Sequence, residues 1–176
     1  MSTEATNVVF WSSTEYTVFM QGLMRELNAR GINAEHRFHL SNVTYRSART
    51  PVARLIMRIR MYLLYPIQLA FNVLFCSSAT INVVCTNTFY APLLASCCSW
   101  RRSQRVIHLV YDLFPDALEI AGSVRPGGLS SRVLEAVTRA TFHRCDANLL
   151  LVERLLKHAQ DRYGEIPRAR IIAVGA

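Results

Sequence analysis

The stretch Val106-Ile-His-Leu-Val-Tyr-Asp-Leu-Phe-Pro-Asp-Ala-Leu-Glu119 decides how the chain is read. Val106–Tyr111 is a short, apolar, β-branched run, the mark of a strand buried on both faces of a parallel sheet. It stops abruptly at Asp112, and Phe114-Pro115-Asp116 follows as a proline-stiffened turn. In an open α/β sheet, ligands bind outside the carboxyl ends of the strands. A carboxylate at that place is a candidate for contact with substrate.

Working outward, the same strand–turn–helix grammar repeats. Asn7–Trp11 reads as a first strand. Ser12 and Glu15 fit a capping box for a helix running to about Arg30, with Tyr16, Phe19, Met20, Leu23, Met24 and Leu27 on one apolar face. Gly31 stops that helix and Asn33–Leu40 reads as a second strand, which completes a βαβ unit. Thr80–Thr86 is a third strand, with a helix from Phe89 to Cys98 after Asn87-Thr88. Beyond the opening stretch, Ser130 or Ser131 caps a helix to about His143, with Val133, Val137 and Ala140 on one side. Asp146–Val152 is a fifth strand, Glu153–Tyr163 a helix and Arg170–Val174 a sixth strand. Strands alternating with helices predict one α/β domain built on a doubly wound parallel sheet of about six strands.

The chain has 176 residues, of which 51% are hydrophobic and 18% charged, a globular rather than a disordered composition. Its net charge of +8 is carried by arginine, and Lys157 is the only lysine. No acidic residue lies between Glu35 and Asp112. That interval holds Arg37, Arg46, Arg49, Arg54, Arg58, Arg60, Arg101, Arg102 and Arg105. A block of one sign favours an anionic partner: a phospholipid surface, a phosphorylated substrate or nucleic acid. The arginines are not interleaved with an aromatic or helix-turn-helix pattern, so nucleic acid is set aside. Five cysteines, two of them adjacent, read as reduced buried thiols of a cytosolic compartment. Met1–Asn7 lacks the basic and apolar regions of a signal peptide.

Pro51–Cys76 has two compatible readings. It contains Arg54 and Arg58 one helical turn apart, Arg60 close by, and no charge from Met61 to Cys76. The run is shorter than the roughly 20 apolar residues of a membrane span. It reads either as a core helix kinked at Pro66, or as an amphipathic helix in a membrane interface, with Arg54, Arg58 and Arg60 on lipid headgroups.

Ser12-Ser13-Thr14 lies where a dinucleotide fold carries Gly-x-Gly-x-x-Gly. The missing glycines argue against NAD or FAD. That turn is either a plain helix cap or a hydroxyl-lined anion site. Asp112 and Asp116 read as a carboxylate pair, or as one functional carboxylate and one helix cap. His108 reads as buried, and His36 and His39 as surface residues. Adjacent Cys97 and Cys98, with His108, His143 and Cys145, lack the spaced pairs of a zinc site, and no metal is expected. No Gly-x-Ser-x-Gly elbow, P-loop or His-Glu-x-x-His motif is present.

The order of elements resembles the N-terminal, acceptor-binding domain of a GT-B, family 4-like bacterial glycosyltransferase. Asp112-Leu-Phe-Pro-Asp116 is similar to the family's Asp-x-x-Pro-Glu/Asp turn. Asp146-Ala-Asn-Leu-Leu150 and the Arg170-Ile-Ile-Ala-Val174 run resemble its later strands. Ser12-Ser13-Thr14 departs from the family's Gly-Gly turn, and Leu151-Val152-Glu153 from its usual serine. The resemblance implies a Rossmann-like domain that binds a saccharide or polyprenyl-linked saccharide acceptor for exopolysaccharide synthesis. Its expected place is the cytoplasmic side of the plasma membrane, peripheral to an anionic surface. It implies Asp112 as the catalytic group and Ser13, Thr14, Tyr16, Asn87, Thr88, Asp116 and Glu153 as substrate contacts. No cofactor is implied in this chain. The nucleotide-sugar donor belongs on a second domain, whose phosphate-gripping Arg and Lys and Glu-x7-Glu motif are not in this sequence. The chain alone is therefore expected to be inactive, as an isolated domain, a truncated gene or one subunit with a separate donor-binding partner. The alternative is a non-catalytic membrane-surface or partner-binding module.

Overall fold

The computed structural model describes residues 7–15, 18–47, 49–75, 80–99 and 104–172. Strands β1 (Asn7–Thr14), β2 (Asn33–Leu40), β3 (Thr80–Cys85), β4 (Arg105–Val110), β5 (Ala147–Leu150) and β6 (Ala169–Ile171) form one sheet. The order is β2-β1-β3-β4-β5-β6 and every neighbouring pair is parallel. The fold is a Rossmann-like α/β domain, as the sequence predicts. Winding reverses between β1 and β3, which makes that boundary the switch point where a crevice opens at the carboxyl edge.

Alternation along each strand divides the core into two layers. Val8 and Phe10 of β1 face helix α1 (Val18–Ala29) through Met20, with Leu23, Met24 and Leu27 alongside. Val9 and Trp11 face the opposite layer. There Leu69 and Val73 of α4 (Tyr65–Phe75) and Ala91 and Ala95 of α5 (Ala91–Cys98) pack on them. Further along that layer, Val110 and Leu150 meet Phe142 of α7 (Leu129–Arg144) and Tyr163 of α8 (Glu153–Tyr163). The sheet also carries polar pairs at full burial. Trp11 Nε1 donates to Asn82 (3.0 Å), and Asn82 donates to Gln104 (3.1 Å).

Three local expectations need correction. β1 does not end at Trp11: it runs through Ser12 and Ser13, both fully buried, to Thr14. No capping box forms, because Ser12 Oγ donates to the Thr14 carbonyl and the Glu15 carboxylate accepts from the Asn42 amide at 3.3 Å. Helix α7 is capped at Gly128, not at Ser130 or Ser131, and Val133 points outward. Its buried face is Ser131, Leu134, Thr138, Thr141 and Phe142. Hydroxyls are tolerated there because each has an acceptor: Ser131 donates to Glu119, Thr138 to the Phe114 carbonyl and Thr141 to the Val137 carbonyl.

Pro66 follows a widened turn of its helix. The region 51–75 is one continuous helical run made of α3 (Pro51–Ile59), a π-helical turn (Arg60–Leu64) and α4. Pro66 has no N–H to give the carbonyls one turn back. The Met61 carbonyl accepts instead from Thr88 Oγ1 (3.0 Å), and the Tyr62 carbonyl from the Tyr90 hydroxyl. The proline thus sits behind a wide turn whose free carbonyls are bolted to the loop after β3. Thr50 caps the run's start by accepting from the Ala53 amide at 3.2 Å.

Candidate functional site at the carboxyl edge

Parallel strands place all their carboxyl ends on one edge. Read along it, β1 ends in Thr14, β3 in Thr86-Asn87-Thr88, β4 in Tyr111-Asp112, and β5 leads to Glu153. Neighbouring ends are about 4.8 Å apart, so Asp112 sits on the order of 10 Å from the end of β1.

At the switch point two of the named residues meet. Asn87 Nδ2 donates to Thr14 Oγ1 at 3.3 Å, bringing together two residues 73 apart in sequence. Ser13 Oγ is buried beside them with no hydrogen-bond partner among the described residues. Thr88 is fully buried and spent on the Met61 carbonyl, so it positions the π turn rather than facing the crevice. Tyr16 lies outside the described residues.

Asp112 is exposed, and its carboxylate takes no hydrogen bond among the described residues. Its backbone, by contrast, is fixed: the amides of Tyr111 and Asp112 both donate to Thr86 Oγ1, at 3.0 and 3.2 Å. Thr86 is the positioning residue that sequence reading missed. A threonine at the mouth of a buried strand is its only signal. A rigid backbone carrying a free carboxylate is suited to accept hydrogen bonds from a ligand's hydroxyls.

Asp116 is a different case. Its carboxylate is held by His158 Nε2 (2.9 Å), Arg162 (2.8 Å) and the Tyr163 hydroxyl (2.7 Å). Burial pushes its pKa up, but the hydrogen bonds from Tyr163, His158 and Arg162 outweigh this and leave it lowered. Arg162 also bonds Glu119 at 3.0 and 3.1 Å, tying α6 (Asp116–Ile120) to α8. Asp116 is the first residue of α6 and closes a structural knot, leaving little of it for substrate. Glu153 is exposed in the first turn of α8, where a carboxylate complements the helix dipole.

Beneath Asp112 lies a narrow seam between β4 and α7 with no room for a water molecule. His108 lines it. Asn148 spends both amide hydrogens on the Phe142 and Pro167 carbonyls (2.9 and 2.8 Å), so His108 Nδ1 must donate to Asn148 Oδ1 at 3.1 Å. Burial pushes the His108 pKa down to about 4, so the ring is neutral, as a buried histidine should be. His36 is not the surface residue expected. It is half-buried, 2.9 Å from Ser12 Oγ, and burial lowers its pKa to about 4. His39 meets Gln68 at 2.9 Å.

Among the described residues, no cluster of His, Cys, Asp or Glu is placed to hold a metal ion. Arg54 and Arg58 are exposed, Arg60 is half-buried, and none of the three makes an ion pair among the described residues. Arg60 lies in the π turn that directly follows α3. Among the described residues, no helix is long and apolar enough to cross a membrane. Compared with protein-family models and with curated proteins, the chain matches none.

Proposed function

We propose that this domain binds the acceptor in a glycosyl transfer: a sugar leaves a nucleotide donor, held by a second domain or subunit, for a hydroxyl of a lipid-linked saccharide. The observation that carries the reading is the Asp112 carboxylate, on a backbone fixed by Thr86 at the carboxyl edge and without a hydrogen-bond partner among the described residues. An acceptor hydroxyl would donate to Asp112, with Thr14 and Asn87 available to other hydroxyls along the crevice. In transfer, the bond between sugar and nucleotide breaks, the acceptor oxygen takes its place, and the hydroxyl proton passes to a base. Asp112 is the group this domain offers for that proton. The reaction would run at the cytoplasmic face of the plasma membrane, in assembly of surface polysaccharide.

The family 4-like resemblance supports this reading, and so does the position of Asp112 at the strand ends. The test is binding of a polyprenyl-linked saccharide to the purified chain. Asp112→Ala is expected to weaken saturable binding by more than about tenfold without unfolding the protein. Equal binding by the variant sinks the assignment. A second reading, a non-catalytic membrane-surface module, is favoured by one observation: α3 buries none of its residues. It predicts vesicle binding with no saccharide binding at all.

A further inference from the structure

The continuous helix 51–75 carries an apolar stripe that the protein leaves uncovered. On α3 the exposed apolar residues are Val52, Leu55, Ile56 and Ile59, a stepping of three and four that keeps one face. Arg54 and Arg58 lie beyond the Leu55 edge of that face. In the π turn and α4 the exposed apolar residues are Tyr62, which lies off the stripe, and Leu63, Leu64, Ile67, Phe71 and Phe75. In a plain α-helix these positions would drift around the cylinder. A π turn adds about one residue to its loop. With that residue discounted, Leu63, Ile67, Phe71 and Phe75 fall back into register with Ile59 and Leu55. The wide turn therefore keeps the stripe on one face across both halves.

The opposite side of α4, through Tyr65, Leu69 and Val73, is the side buried on the sheet. The stripe faces away from the body. At about 1.5 Å per residue the helix is roughly 37 Å long. As a crossover between parallel strands, α4 runs from the carboxyl edge towards the amino edge, so α3 overhangs the carboxyl edge. Thr88 and Tyr90, in the loop after β3, clamp the joint at that edge.

We infer that helix 51–75 lies in the plane of an anionic lipid monolayer, its stripe sunk to the acyl boundary, and seats the carboxyl edge at headgroup level. Three occupants compete for such a stripe: a lipid surface, a second copy and a partner protein. Charge decides among them. The chain has no acidic residue from 36 to 111, and the exposed arginines of α3 have no ion-pair partner among the described residues. An apolar face bordered along its Leu55 edge by arginines with no ion pair among the described residues matches anionic phospholipid, with guanidinium groups reaching phosphates from that side of the helix. A second copy would bring the same positive charge against itself. This inference deepens the membrane part of the proposed function but does not depend on the sugar chemistry.

Flotation of the full chain tests it, on vesicles of phosphatidylcholine alone and of phosphatidylcholine with phosphatidylglycerol. The wild type is expected to float with the anionic vesicles and weakly with the neutral ones. Ile56→Glu/Ile59→Glu should lose more than about tenfold on both with an unchanged circular dichroism spectrum, since α3 has no buried residue to disturb. Arg54→Gln/Arg58→Gln should lose only the preference for anionic lipid. Wild-type levels of flotation by the Ile56→Glu/Ile59→Glu variant overturn the proposal. So does a lipid-free dimer, seen by sedimentation, that this variant dissociates. Asp112→Ala should float like the wild type, so a failed sugar reading leaves this result standing, and a failed flotation leaves saccharide binding in detergent to be judged alone.

Discussion

Asp112 and Asp116 share one turn, and their surroundings divide their roles. The Asp116 carboxylate accepts from three side chains, so replacing it removes charge-assisted bonds that α8 relies on. Asp116→Asn is expected to cost about 2 kcal/mol at neutral pH in urea unfolding. The sign of its pH dependence follows from a lowered folded-state pKa. The stabilisation is present above the ordinary carboxyl value of 3.8 and is lost as pH falls through the lower folded value. Wild type and variant should therefore converge in strong acid. The histidines give a second window. His36 and His108 are both pushed by burial from 6.5 to about 4, so the unfolded chain binds more protons between those values. The melting temperature should fall as pH drops from 6.5 towards 4, and His36→Gln should flatten part of that slope in a calorimetric series.

At the scale of elements, α4 holds two kinds of position two residues apart, on opposite faces. Leu69 is fully buried against the sheet, whereas Phe71 is 62% exposed on the stripe. Leu69→Ala is expected to cost about 2–5 kcal/mol. Phe71→Ala should stay within roughly 0.5 kcal/mol in the same urea titration, because its ring packs mainly on Phe75. Equal costs would mean that the outer face is covered in the free protein. The strands were legible because Thr80–Cys85 and Val106–Val110 are β-branched runs bounded by polar turns. The end of β1 was not, since Ser12 and Ser13 look like a turn until their burial is seen. Nor was the rotation of α7, where hydroxyls satisfied by nearby carbonyls take the buried side and Val133 is left outside. The π turn leaves no periodic signature, because one added residue is indistinguishable from ordinary drift.

For the whole molecule, alternation of elements specified the parallel sheet, and the sheet specified where a ligand site must be. Thr14, Asn87 and Asp112 could be named from the sequence because each directly follows or ends a strand. What could not be seen is which of them are already engaged. The bonds from Asp116 to Arg162 and from Thr88 to Met61 cross 46 and 27 residues of chain and form only on folding. The same folding joins helix 51–75 to the loop after β3 through Thr88 and Tyr90, so that the lipid contact and the acceptor contact proposed above would share one end of the protein. The most direct measurement of that arrangement is saturable binding of a polyprenyl-linked saccharide, embedded in anionic nanodiscs, by wild type and Asp112→Ala. Saturable binding that the variant loses, with its melting temperature and its attachment to saccharide-free nanodiscs unchanged, is the predicted result. Binding of equal affinity by both proteins, or none beyond that to saccharide-free nanodiscs, would contradict it.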